Sequence, residues 1–233
     1  MRWPRFLRQP RDPGGDADHA RDRARMVAEQ LEARGIRDPE LLTAFGAVER
    51  HLFVDGDEPY GDHALPVGSG QTISQPFVVA MMTAAARPEG GWEGAAVLEI
   101  GTGSGYQAAI LAALGARLVT IERHATLADE ARGRLAQAGY ADRVTVVVGD
   151  GTSGLATRAP YRSILVTAGG PSVPTPLMEQ LEPSGGRLVM PVGDRQHQIL
   201  TLVVRDGDEW THEALEPVVF VPLIGEHGYP EEA

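Results

Sequence analysis

The amino-acid sequence predicts an α/β fold: a doubly wound, mostly parallel, Rossmann-like sheet with helices on both faces, antiparallel strands at one edge and a helical N-terminal elaboration. Three observations carry this. After Trp92, short apolar runs alternate with helical patterns, the rhythm of βαβ units whose strands are buried on both faces. The first run, AAVLEI (95–100), opens directly into the glycine-rich GTGSG (101–105), a strand-to-helix turn at the sheet edge where ligands bind. The chain closes on HQILTLVVRDGDEWTHEALEPVVFVPL (197–223). That stretch reads as strand, Asp-Gly turn, strand and a further extended piece after Pro217, the pattern of antiparallel pairing at an edge.

The elements follow in order. Residues 1–20 are rich in Pro, Gly, Arg and Asp with no apolar period, and are expected to form a flexible arm. Its Arg2, Arg5, Arg8 and Arg11, with Trp3, Phe6 and Leu7, either touch an acidic partner or lipid or are simply solvated. A helical N-terminal subdomain is expected over 21–92. Within it Met26, Val27, Gln30 and Leu31 mark one helical stripe, stopped by Gly35, and Leu41, Leu42, Phe45 and Val48 mark a second. Residues 55–70 read as a loop from their Gly, Pro and Asp content. Pro76 suits a first helical turn, so 77–86 should be helical with Gln75 at the cap. The sheet domain is expected over 93–224, with strands at 95–100, 117–122, 143–150, 163–169 and 186–192. Helices fall between them at 106–115, 126–139 and near 176–181. Residues 225–233 form a tail.

Bulk composition excludes several functions. The 233 residues carry a net charge of −11, which repels nucleic acid and anionic membrane; neither is expected as a partner. There is no Cys, so disulfides, thiolate metal sites and a Cys nucleophile are excluded. The seven His never fall in HxxxH or HxH pairs, and no metal is expected. No apolar run approaches the roughly 18 residues of a membrane span, and MRWPRFLRQPRDP lacks the apolar centre of a signal peptide. A cytoplasmic monomer is expected. Every basic side chain besides His is Arg, and there is no Asn.

The glycine loop lacks the third glycine of a dinucleotide fingerprint, because Tyr106 stands there. Glu99, just before it, would repel a pyrophosphate but not a cationic sulfonium ligand. Glu122 ends the second strand about 20 residues on, the usual place for an acid on ribose hydroxyls, with Arg123 beside it. Asp150 ends the third strand before Gly151, placed to meet an adenine. Glycine loop (Gly101, Gly103, Gly105) and acids together fit S-adenosyl-L-methionine.

GQTISQP (70–76), VLEIGTGSGYQAAILA (97–112), VGDGTSGL, LVTAGGP and GGRLVMPVGD, in that order, resemble the protein-L-isoaspartate O-methyltransferase family over about residues 23–223. The resemblance implies methyl transfer from S-adenosylmethionine to the free α-carboxylate of L-isoaspartyl residues in damaged proteins or peptides, the ester then cyclising to a succinimide. It implies cofactor contacts from Thr72, Ile73, Ser74, Gly101, Thr102, Gly103, Glu122, Asp150 and Gly151. It also implies Ser74 as the active-site hydroxyl, and Val221 and Pro222, in the segment to Leu223, beside the substrate peptide. The chemistry agrees with the residue types. A carboxyl group with a pKa of about 3.5 is ionised at neutral pH and needs no base. Placement is what remains, worth up to roughly 7–11 kcal/mol. Ser74 and the N–H groups of the following helix are expected to hold the anion; the other reading of Ser74 is a helix-start residue bonding a free N–H.

The sequence departs from the family at Arg162, usually Asp, at Gly169 and Gly170, commonly Ala-Ala, and in a short 53–60 link flanked by His51 and His63. Those histidines serve either proton transfer or packing. The alternatives are a relative modifying one aspartate of a ribosomally made peptide, and a cofactor-binding protein without catalysis. An amino-methylating nucleic-acid enzyme is opposed by TAGGP where [DN]PP[FYW] would stand.

Overall fold

A computed structural model describes residues 13–231, with side chains from residue 15. The expected arm therefore lies outside the described residues over 1–12, and is corrected beyond them: helix α1 spans Pro13–Arg25. Pro13 pre-sets the first helical φ and Asp16 sits in the first turn. The helix is nearly all polar, which hides it from apolar periodicity. Tertiary bonds hold it instead: Arg23 Nε donates to the Gly46 carbonyl at 2.8 Å and the His19 ring stacks on His51 at 4.1 Å.

The chain continues through a π-helical turn, Met26–Leu31, and a short 3-10 turn, Glu32–Arg34. Gly35 ends it in the left-handed region at φ 98°, as its placement predicts. Helix α2 (Pro39–Ala47) is capped by Asp38, whose carboxylate accepts from the Glu40 and Leu41 N–H groups. The expected loop over 55–70 is corrected in part. Its end forms strand β1 (Leu65–Gly68), paired antiparallel with β2 (Gln71–Ile73). Helix α3 (Pro76–Ala85) follows with Gln75 at its cap position.

Strands β3 (Ala96–Ile100), β4 (Arg117–Glu122), β5 (Val144–Val148) and β6 (Ser163–Val166) are parallel. Helices α4 (Tyr106–Ala113) and α5 (Ala125–Gln137) connect the first three. Helix α6 (Thr175–Glu179) leads to β7 (Ser184–Gly193), the last parallel strand. Strands β8 (Gln198–Asp206) and β9 (Glu209–Val218) turn back antiparallel around Gly207. The seven-stranded order is β5-β4-β3-β6-β7-β8-β9, the predicted doubly wound sheet with its antiparallel edge.

Alternation along β3 separates two buried layers. Leu98 and Ile100 face a cluster with Tyr161, Leu177 and Leu188. Val97 faces the larger cluster, where Met26, Leu31, Phe45 and Phe53 of the N-terminal helices pack with Ile110, Leu118 and Leu202. The N-terminal segment and the sheet thus share one core. Among the described residues no helix is long and apolar enough to cross a membrane.

Candidate active site

Because β3 to β6 run parallel, their carboxyl ends lie along one edge, and Gly101, Glu122, Gly151 and Thr167 meet there. The glycine loop turns sharply, with φ of 91° at Gly101, 52° at Gly103 and 90° at Gly105. A Cβ on Gly101 would stand 2.5 Å from Thr167 Oγ1. Only glycine lets the loop pass beneath that hydroxyl, which donates to the Gly101 carbonyl at 2.7 Å. Glu122 is buried and braced by backbone: Oε2 accepts from Gly103 N at 2.9 Å and Oε1 from His124 N at 3.0 Å.

Three hollows join here. The first, the nucleoside hollow by expectation, is lined by Gly101, Gly103, Glu122, Arg123, Gly151 and Pro222. The second lies inward, beside Ile73, Ser74, Thr102 and the glycine loop, and no charged side chain among the described residues lines it. The third is an open cleft of about 660 Å³ between the start of α3 and the end of β9, with Ser74, Gln75, Ile199, Val219 and Val221 on its walls. Thr72 and Thr167 line all three. Ser74 borders the inner hollow and the cleft, and Val221 the nucleoside hollow and the cleft; Pro222 borders the nucleoside hollow alone.

Glu99, Gly105 and Asp150 line none of these hollows. Gly105 backs α5, with Leu135 and Ala131 at van der Waals distance from the place of a Cβ, so its role is packing. Glu99 is fully buried, and neither of its oxygens has a hydrogen-bond partner. Burial pushes its carboxyl up to about 8. The nearby Thr120 hydroxyl tempers that shift and the Glu122 charge adds to it. Thr120 also meets Thr102, with the two hydroxyls 2.7 Å apart, so one proton chain can run from Thr102 through Thr120 towards Glu99.

Asp150 Oδ1 accepts from the Thr152 N–H and hydroxyl, and Oδ2 from Glu226 N at 2.8 Å. Partial desolvation raises this carboxyl, but the bonds from Glu226 and Thr152 outweigh it and hold it below its ordinary value. Here the side chain ties down the C-terminal segment that covers the nucleoside hollow with Leu223 and Ile224.

The helix-start expectation needs correction. Phe77 N donates to Asp62 Oδ1 at 3.2 Å, and Val78 and Val79 N both reach the Gln75 carbonyl. Pro76 has no N–H, so α3 offers no free donor to an anion. Nor does Ser74 cap the helix. Its hydroxyl has no partner among the described residues and borders the cleft and the inner hollow.

The departures sort themselves by place. Arg162 lies at the amino end of β6, bonding the Glu89 carbonyl and pairing with Glu182 at 3.4 Å, far along the strand from the ligand edge. Gly169 is required by Gln198: a Cβ there would fall 2.4 Å from the Gln198 amide carbon. That buried amide bonds both the N–H and the carbonyl of Phe220, setting the wall that carries Val219 and Val221. His51 Nδ1 lies 2.7 Å from the Tyr60 hydroxyl, and burial followed by His19 lowers its pKa. Neither His51 nor His63 lines the cleft.

Sequence reasoning missed Thr167. Its place was legible, since it directly follows the strand beside the glycine-loop strand. It also missed Asp62 and Arg50, which reach the site from distant turns and leave no local signal.

Residues 22–228 match the family model described as protein-L-isoaspartate(D-aspartate) O-methyltransferase. The protein-L-isoaspartate O-methyltransferase of Methanospirillum hungatei is 51% identical over 214 residues, covering 91% of this chain and 97% of that one. The enzyme of the same name from Syntrophus aciditrophicus is 49% identical, covering 90% and 96%. A solved protein-L-isoaspartate O-methyltransferase superposes with a TM-score of 0.78 at 25% identity, over 88% of this chain and 67% of that one. A Plasmodium falciparum structure described under the same activity, in complex with S-adenosyl-L-homocysteine, shares the fold with a TM-score of 0.73 at 20% identity, over 85% and 96%. On the match across residues 22–228 and on these identities, the chain belongs to the protein-L-isoaspartate(D-aspartate) O-methyltransferase family.

Proposed function

We propose that the chain methylates the free α-carboxylate of L-isoaspartyl residues, with the peptide in the open cleft and S-adenosylmethionine in the two connected hollows. The observation that carries this is the lining of the cleft. It holds hydroxyls, amides and apolar side chains, with His197 its one titratable group. Such a surface suits a nucleophile that arrives ionised.

The site fits the cofactor on its own geometry. The Gly101 cradle would be closed by a Cβ, the braced Glu122 carboxylate borders the nucleoside hollow, and the inner hollow carries no cation to repel a sulfonium. Gly101, Gly103, Glu122, Arg123 and Gly151 would hold the nucleoside, and Thr72, Ile73, Ser74 and Thr102 the methionine part. Bound there, S-adenosylmethionine supplies an activated methyl group on a sulfur that departs as a neutral thioether without a proton.

The chain's own contribution is alignment. Ser74 donates its hydroxyl to one carboxylate oxygen and leaves the other free. A neutral donor steadies the anion without the grip of an ion pair, which would lower its nucleophilicity. Val219 and Val221 supply an apolar wall for the peptide on one side of the cleft. In-line positioning of this kind lowers a barrier by up to roughly 7–11 kcal/mol.

We assign the reaction to a monomer in the cytoplasm. The decisive assay supplies labelled methyl donor to one peptide in its isoaspartyl and aspartyl forms. Label should enter the isoaspartyl form alone; equal labelling, or label on nitrogen, refutes the reading.

A further inference from the structure

Arg50 is a charged side chain with no exposed surface, and the reaction outlined above gives it no part. It sits on the short turn Arg50–Leu52 between α2 and the 53–60 link. Nε donates to the Pro59 carbonyl at 2.8 Å and Nη2 to the Ser74 carbonyl at 2.8 Å. The guanidinium carbon lies 4.7 Å from the centre of the Tyr106 ring, the first residue of α4 after the glycine loop. One side chain thus touches the 53–60 link, the residue bearing the cleft hydroxyl, and the helix that follows the glycine loop.

This arrangement is costly. Nη1 is buried with no hydrogen-bond partner, and Arg50 forms no ion pair among the described residues. Burial lowers its pKa first of all, and the Tyr106 hydroxyl, then Asp62 at longer range, offset that only in part. An orphaned buried donor destabilises the fold, and more so when it is charged. An apolar side chain of similar volume, such as Met, would fill the space without that cost. What Met lacks is the rigid fork that reaches two carbonyls at once.

We propose that Arg50 is a positioning residue for methyl transfer. By holding the Ser74 carbonyl against that of Pro59, it fixes the Ser74 backbone and so aims the Ser74 hydroxyl at the substrate carboxylate. The geometry explains why a cation is kept near an anion site yet out of reach of the anion: both its directed bonds go to backbone, so it orders the donor without pairing with the nucleophile. The inference rests on the isoaspartyl reading given above.

The test is a double-mutant cycle with Arg50→Lys and Ser74→Ala, read as kcat and KM on an isoaspartyl peptide and as affinity for S-adenosylhomocysteine. Lys keeps the charge but cannot hold both carbonyls. Arg50→Lys should lower kcat about tenfold, with cofactor-product affinity within about twofold, and should add almost nothing in the Ser74→Ala background. Arg50→Gln, neutral and shorter, should behave like Arg50→Lys. Full activity in Arg50→Lys would assign the role to charge and overturn the proposal. So would losses that multiply in the double mutant, or turnover and cofactor affinity falling together in both Arg50 variants, which marks a fold defect. Wild-type protein that ignores the isoaspartyl peptide would instead sink the underlying reading, a distinct result.

Discussion

Replacing Glu99 with Gln should change how stability depends on pH. Glu99 is fully buried, and burial raises its carboxyl from 4.5 to about 8 against the tempering effect of the Thr120 hydroxyl. In the unfolded chain the group ionises near its ordinary value. Below that value both states hold the proton and the group is neutral to stability. As pH rises through the window up to about 8, the unfolded chain releases its proton while the folded one keeps it. The unfolded state then binds fewer protons, so stability falls with rising pH and levels off above the folded value. Each unit of separation is worth about 1.4 kcal/mol, so the whole window sets a ceiling of about 5 kcal/mol. Urea unfolding of the cofactor-free protein at about pH 5 and about pH 8 measures the change. Taking the difference between Glu99→Gln and wild type cancels other titrating groups. The variant should gain several kcal/mol on wild type between these two conditions, on the order of half the ceiling or more. A parallel decline in both proteins, or a flat wild type, would show that the carboxyl is hydrated or paired in solution and that this account of its burial is wrong.

Three further substitutions test the ligand edge. Ser74→Ala should cut turnover on an isoaspartyl peptide by about tenfold or more, the scale of a hydrogen bond to a charged group, while leaving cofactor affinity nearly unchanged; normal turnover rejects the assigned role. Gly101→Ala would place a Cβ 2.5 Å from Thr167 Oγ1 at a φ of 91°. Calorimetry with S-adenosylhomocysteine should show a large loss of affinity, and an unaltered value would mean that the loop does not cradle the ligand. Gly169→Ala would press on the Gln198 amide and disturb its two bonds to Phe220. The KM for peptide should rise several-fold with cofactor affinity intact, and the opposite split would place the 219–221 wall outside the peptide path.

The sheet and the glycine loop were legible because their signals are local. Buried parallel strands read as apolar runs, and Gly101, Gly103 and Gly105 mark backbone that other residues adopt with strain. The GQTISQP stretch singled out Ser74, which borders the cleft and the inner hollow. What sequence reading missed depends on distant partners. Helix α1 has no apolar stripe and is held by contacts such as Arg23 to Gly46. Asp62 takes the N–H at the start of α3 from 15 residues upstream, so a donor that looked free is spent. Asp150 stands at the foretold strand end, but its carboxylate is bonded by Glu226, 76 residues later. The direction of a side chain follows from such partners, and spacing along the chain does not encode them.

The core common to the N-terminal helices and the sheet makes peptide recognition and donor binding a single cooperative property. Phe45 and Phe53 meet Tyr106 edge-on, with ring centres 6.1 and 5.8 Å apart, which ties residues 45–53 to the helix that follows the glycine loop. A lesion at buried Phe45 should therefore weaken binding of both ligands. Conversely, saturating the nucleoside hollow tightens residues 26–53 as firmly as the strands, since every increment of binding energy is shared by all that must unfold together.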